Sequence, residues 1–154
     1  MKKLAIILLV LVIAAACGND ASEGGKKPSP SELAKQAPKE DDGKGVGQTT
    51  EVTLNSPLNQ EMVAKGKSIY EMKCAACHKL TDQRVVGPGW KGLTEKRKPE
   101  WIMNMTTDVE AMLEEDETAR ELLKECLVRM PNQNLTVADA RDVLEFIYFN
   151  DGYE

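Results

Sequence analysis

The chain has 154 residues, enough for one domain with appendages, and a formal net charge of −5. An acidic balance of this kind gives no reason to expect a nucleic-acid partner. Aromatic residues make up 5% of the chain, so a small domain built from it is poorly provided with side chains for a hydrophobic core.

Lys2 and Lys3 precede an unbroken apolar run over 4–16 that ends at Cys17. A charged start followed by an apolar run too short to span a bilayer comfortably is the pattern of an export signal. Ala14-Ala15-Ala16-Cys17 resembles a bacterial lipobox, although lipoboxes prefer Leu where Ala14 stands. The alternative is an ordinary signal-peptidase site within 14–16 that leaves Cys17 free. The reading adopted is a lipoprotein signal peptide over 1–16 and lipidation at Cys17. From 18 to 57 Gly, Pro, Ser, Lys, Glu and Asp dominate, without apolar periodicity or aromatic residues. Such a segment buries too little apolar surface to offset its conformational entropy, so 17–57 is expected to be a disordered tether. About 40 residues of this kind reach roughly 35 Å. Within it, Val52-Thr53-Leu54 leaves two alternatives, a short strand or docking on the domain. The folded domain is then expected over 58–154.

A helical pattern begins at Asn59 or Gln60 and carries Met62, Val63, Ile69 and Tyr70. Gly66, Tyr70 and Cys74 stand four apart, on one helical face. A glycine inside a helix costs about 1 kcal/mol relative to alanine, so Gly66 implies close approach by another element. The pattern runs into Cys74-Ala75-Ala76-Cys77-His78, the C-x-x-C-H spacing of covalent c-type haem attachment. Each cysteine can add to one haem vinyl group, and the next residue offers an imidazole to the iron. His78 is the only histidine in the chain. Two other readings compete, a redox disulfide and half of a zinc site. The zinc reading has only Cys17 and Cys126 left as ligands, and a redox pair should open a helix rather than close one.

Gly87-Pro88-Gly89 reads as a turn. Lys98-Pro99-Glu100-Trp101 opens the next helix, with Pro99 at its first position and Trp101, Ile102 and Met105 on one inward face. An acidic stretch begins at Thr107 or Asp108. The segment 117–127 reads as an amphipathic helix, with Cys126 most simply a small buried hydrophobe. Thr136-x-x-Asp139 resembles a helix-start box for a last helix over about 137–150. Met62, Met72, Met103, Met105 and Met112 read as core filler.

Four features in this order resemble class I cytochromes c, and the likeness covers roughly 61–150. They are Gly66 with Tyr70 and Cys74; the C-x-x-C-H motif; Val86-Gly87-Pro88-Gly89-Trp90-Lys91-Gly92-Leu93; and Met130-Pro131 before the last helix. The resemblance implies an all-α, cytochrome c-like fold of four to five helices around one covalently attached haem c. It implies thioethers at Cys74 and Cys77, His78 and Met130 as axial iron ligands, and a Pro88 carbonyl that orients His78. It puts Trp90 where the family usually has a smaller apolar residue against the haem, and Phe146 where the last helix crosses the first at Gly66. For Trp101 it offers contact with a haem propionate, against ordinary core packing.

The function implied is outer-sphere transfer of single electrons, with no enzymatic role, by a carrier tethered to a membrane through lipid and facing the periplasm or cell exterior. Its partners would be a respiratory-chain donor and a periplasmic terminal reductase or oxidase. The stretches over 99–105 and 130–135 are similar to lipid-anchored cytochromes associated with nitrous oxide reductase, which adds that acceptor. The alternative is a gas-binding haem sensor or haem enzyme subunit with an open or displaceable sixth ligand. Basic residues dominate 60–104 and acidic ones follow from 105, so a basic rim beside the motif and an opposite acidic pole are expected, against a merely solvated acidic helix.

Overall fold

In the computed structural model, which describes residues 41–126 and 128–154, six α-helices follow one another: α1 (Gln60–Ile69), α2 (Leu93–Lys96), α3 (Pro99–Thr107), α4 (Val109–Glu115), α5 (Glu117–Cys126) and α6 (Val137–Asn150). The class is all-α as expected, with more helices than the four to five anticipated. The excess is local. α2 is a single turn, and the acidic stretch is cut in two by aspartates that leave helical geometry to act as caps. Asp108 accepts the Ala111 N–H at 3.4 Å, and Asp116 accepts the Ala119 N–H at 2.7 Å.

The starts of the long helices follow from their sequence. Asn59 caps α1 by accepting the Glu61 and Met62 N–H groups. Pro99 occupies the first turn of α3, where a missing N–H costs nothing. Thr136 and Asp139 form a complete reciprocal capping box on α6. α1 packs chiefly on α6, and the contact is close because Gly66 has no side chain. A Cβ there would stand 2.0 Å from the Asp142 carbonyl oxygen and 2.9 Å from the Phe146 Cβ. Val143, Leu144, Phe146 and Ile147 of α6 are buried, and α3 and α4 bring Ile102, Met103, Val109 and Met112 into the same core. Of the methionines expected as filler, Met72 is instead 74% exposed.

The domain boundary at 58 requires correction. Residues 41–57, expected as tether, lie against the helices, and Val46, Val52 and Leu54 pack on the core. The bonds that hold them are polar and long-range, which is why composition misled. The buried Asn104 side chain of α3 accepts the Thr49 N–H at 3.0 Å and donates to the Thr49 carbonyl at 2.9 Å. Glu100 accepts the Val52 N–H, and Met112 sulfur accepts that of Val46. Of the alternatives for 52–54, docking is the one observed. Glu145, wholly buried in α6, accepts from the Asn59 N–H at 2.8 Å, from Asn55 Nδ2 at 2.9 Å and from Arg141. The signal peptide, the Cys17 lipidation site and the rest of the expected tether lie outside the described residues. Among those described, no helix is long and apolar enough to cross a membrane.

Candidate functional site

α1 does not end in a regular turn. Tyr70–Cys74 widens into a π-helical turn, and the Ala75 N–H bonds to the Tyr70 carbonyl five residues back. Such widenings occur mostly as single turns and often at functional sites. The N–H groups of Cys77 and His78 both bond to the Cys74 carbonyl, which curls the C-x-x-C-H motif into a tight turn. The buried Tyr70 donates its hydroxyl to the His78 carbonyl at 2.8 Å. Its ring lies 4.9 Å from Trp90 and 5.6 Å from Phe146, so the motif is braced by the α1–α6 crossing.

The segment after His78 folds back over it. Gly87 N–H bonds to the Cys77 carbonyl and Trp90 N–H to that of Lys79. Both glycines of Gly87-Pro88-Gly89 are required by space. A Cβ on Gly87 would stand 2.4 Å from His78 Cε1, and one on Gly89 would stand 2.1 Å from the Thr81 carbonyl oxygen. Between them the Pro88 carbonyl lies 2.8 Å from His78 Nδ1. A carbonyl only accepts, so Nδ1 carries the proton and Nε2 keeps its lone pair. Burial pushes His78 below its usual pKa, against the opposing pull of the Pro88 bond, and keeps the ring in the neutral form a metal requires. Trp90 is buried with its ring 5.6 Å from that of His78.

Two adjoining cavities, of about 100 and 170 Å³, share His78, Trp90, Thr106 and Met130 in their walls. The smaller is lined by Cys74, Cys77, Val86, Val128 and Leu135. The larger is lined by Pro88, Leu93, Trp101, Ile102, Met105 and Ile147. The site residues expected from sequence within the described region thus line one cleft. The donor set suits a haem: two thiols at one end, a neutral imidazole and a thioether in the shared wall, and a largely apolar lining.

The redox-disulfide reading loses support. Burial pushes the Cys74 thiol up to about 11, the reverse of the lowered pKa that activates a redox cysteine. Among the described residues, no group of three or more His, Cys, Asp and Glu side chains is arranged to hold a metal ion.

Three expectations change. Trp101 lines the cleft, but its N–H donates to Asp116 at 3.2 Å, so the indole has no N–H left for a propionate. Cys126 is half-buried in the cavity wall rather than core, and its sulfur accepts from Arg84 Nη1 at 3.0 Å. Two residues of the acidic stretch lie beside the expected basic rim rather than opposite it, since Glu125 pairs with Arg84 at 2.9 Å and Glu110 pairs with Arg129. Thr106 is among the cleft residues that sequence reasoning missed. Its hydroxyl is satisfied by the Ile102 and Met103 carbonyls, and its place one turn after Ile102 was the available signal.

The Cytochrome c family model matches residues 63–148. A comparison with curated proteins gives no match. Among solved structures, the chain is similar to a cytochrome c from Rhodothermus marinus, with 27% identity and a TM-score of 0.66 over 68% of this chain and 90% of that one. It is similar as well to an engineered form of that cytochrome, Rma TDE, with 26% identity and a TM-score of 0.65 over the same shares. The engineered form bound to a carbene intermediate, 1-ethoxy-1-oxopropan-2-ylidene, gives 26% identity and a TM-score of 0.62, again over 68% and 90%. With a family match over more than half its length, an all-α fold and a cleft that gathers C-x-x-C-H with a methionine, the chain belongs to the cytochrome c family, whose members bind covalently attached haem c and usually carry electrons.

Proposed function

We propose that this protein is an outer-sphere carrier of single electrons, in which Cys74 and Cys77 would hold haem c covalently and His78 and Met130 would ligate its iron. When bound, the haem supplies one-electron Fe(II)/Fe(III) chemistry. The chain's own residues do the rest. Pro88 fixes the tautomer and orientation of His78, Tyr70 fixes the backbone behind it, and Trp90 with the apolar lining keeps water from the cleft. His78 and Met130 would together ligate the iron and leave no position for a substrate, which suits relay rather than catalysis. The observation that carries this reading is His78 Nδ1 pinned at 2.8 Å to the Pro88 carbonyl in a cleft that Met130 also lines.

The test is Met130→Ala in the exported, haem-loaded protein. The oxidised wild type is expected to show the weak near-infrared band of methionine-ligated haem. The variant should lose that band, fall in reduction potential and bind carbon monoxide. A wild type that already binds carbon monoxide readily would favour the second reading, a sensor or haem enzyme subunit with a displaceable ligand. One comparison gives that reading some weight, since an engineered relative is described with a carbene intermediate bound.

The carrier is tethered through a lipid on Cys17 and faces the periplasm or cell exterior. The sequence over 14–17 supports this. Several acyl chains would make attachment near-permanent, at about 0.8 kcal/mol per buried methylene. Cys17→Ser should move the protein from the membrane to the soluble fraction with haem still attached, and soluble wild-type protein would contradict the anchor. Its electrons pass from a respiratory-chain donor to a periplasmic terminal reductase or oxidase. The likeness over 99–105 and 130–135 supports nitrous oxide reductase as that acceptor.

A further inference from the structure

The segments that carry His78 and Met130 are held in different ways. On the His78 side, backbone bonds from Gly87 and Trp90, with the Pro88 and Tyr70 contacts, fix the motif from behind. On the Met130 side, residues 128–135 form no backbone–backbone hydrogen bond among the described residues. Leu135 is buried at the far end of that segment, Met130 is half-buried, and Val128 and Arg129 are exposed. A stretch with few buried contacts and no backbone ladder is where a fold opens most easily. What ties the stretch down then decides how often it opens.

Basic side chains supply the ties. Arg129 pairs with Glu110 of α4, and Lys73 donates to the Gln133 carbonyl at 3.0 Å. Arg84 is different, because it comes from the loop that follows His78. Its backbone pairs with that of His78 in an isolated antiparallel bridge. Its guanidinium then reaches the last two residues of α5. Nη2 donates to Glu125 Oε2 at 2.9 Å, and Nη1 donates to Cys126 Sγ at 3.0 Å. A planar fork suits two neighbouring acceptors, and the negative end of a helix dipole favours a cation at this place. Val86 and Gly87 on one side of the contact, and Cys126 and Val128 on the other, line the same cavity. Met130 follows Cys126 by four residues.

We propose that Arg84 is a clasp across the cleft, joining the His78 segment to the root of the Met130 segment, and that it governs how readily an outside ligand displaces Met130. The inference rests on the axial role proposed above for Met130 and goes beyond it by naming what retains that residue. Arg84 lines neither cavity, so it is a positioning residue that acts through Glu125 and Cys126. The Arg84 and Glu125 side chains are 41% and 61% exposed, which sets the scale of the effect. A pair so open to water is weak and is screened by salt. The clasp therefore biases the Met130 segment toward the closed arrangement without locking it.

The experiment titrates imidazole, a small iron ligand, into the oxidised, haem-loaded chain and follows loss of the near-infrared band of methionine-ligated haem. At low salt Arg84→Gln should bind imidazole about 2- to 5-fold more tightly than wild type, the scale of an exposed charge pair. Raising the salt should bring the wild type toward the variant and leave the variant nearly unmoved. Arg84→Lys should recover part of the difference, since it keeps the charge and loses the fork. The Arg84→Glu, Glu125→Arg double variant should bind imidazole less tightly than either single change. Lys65→Gln, which breaks an exposed pair with Glu61 on α1, should leave the titration unchanged. A role in stability alone would lower the thermal midpoint of Arg84→Gln without altering the imidazole titration or its salt response, and that result would overturn the clasp. Glu125→Gln repeats the test from the other side of the pair if Arg84→Gln folds poorly. Wild-type affinity in both variants, with the near-infrared band present, would refute this inference alone. A wild-type chain without that band would refute the Met130 ligation and take the clasp with it.

Discussion

Gly66→Leu is expected to destabilise the haem-loaded domain by about 3 kcal/mol, the upper end of the range for overpacked sites. Two effects oppose each other at this position. Replacing a mid-helix glycine removes a propensity cost of about 1 kcal/mol, which favours almost any other residue. Against this, the first added carbon would lie 2.0 Å from the Asp142 carbonyl oxygen and 2.6 Å from its carbon, both backbone atoms of α6. A side chain could swing aside, but a helix backbone cannot without moving the helix. The clash therefore wins, and Gly66→Ala should already be destabilising where an open helical site would gain. Separation of α1 from α6 also withdraws Phe146 from Tyr70, and Tyr70 holds the His78 carbonyl. Denaturant titration of the two variants checks the sign, and a midpoint equal to or above wild type in either would contradict the crossing.

Glu145→Ala is expected to cost about 3–5 kcal/mol, the range for breaking a buried charge pair from one side. The carboxylate is fully buried and receives the Asn59 N–H, Asn55 Nδ2 and Arg141. Its removal leaves the Arg141 guanidinium, which also donates to the Thr53 carbonyl, without its counter-charge. It also releases the residue that caps α1. Burial raises the Glu145 pKa, but the bonds from Asn59, Asn55 and Arg141 outweigh it and hold the carboxyl below the ordinary value of 4.5. A carboxyl depressed on folding stabilises the native state above its unfolded pKa, and that contribution disappears as pH falls through the folded value. The wild type should therefore lose stability in acid more steeply than Glu145→Gln, which is less stable at neutral pH. Thermal midpoints from pH 7 down to pH 3 would test this, and parallel curves for the two proteins would remove Glu145 as the acid-sensitive group.

The parts that could be read from the sequence are those whose chemistry is local. Cys74, Cys77 and His78 sit within five residues, and their spacing is that of covalent c-type haem attachment before any fold is known. Asn59, Pro99, Thr136 and Asp139 set helix starts through bonds or missing N–H groups within three residues. Gly66 and Phe146 are distant in sequence, but a glycine inside a helix implies close approach by another element, and the family resemblance supplies Phe146 as its partner.

Only the tertiary structure decided the rest, because the deciding interactions join residues far apart whose types do not advertise the contact. Residues 41–57 look like tether since they are polar, yet Asn104 and Glu100 give backbone N–H groups there buried partners, and Glu145 takes the Asn55 side chain, at separations of 48 to 90 positions. The family resemblance offers the Trp101 N–H to a propionate and residue type makes Cys126 a buried hydrophobe, whereas Asp116 takes the first and Arg84 donates to the sulfur of the second. The π turn over Tyr70–Cys74 carries no composition signal, since one additional residue per turn is imposed by what the helix must meet. Sequence determined the family's cofactor and placed the C-x-x-C-H motif at the end of α1. Packing determined which side chains are left free to face that group, because a polar atom is available to a ligand only after its neighbours have been satisfied.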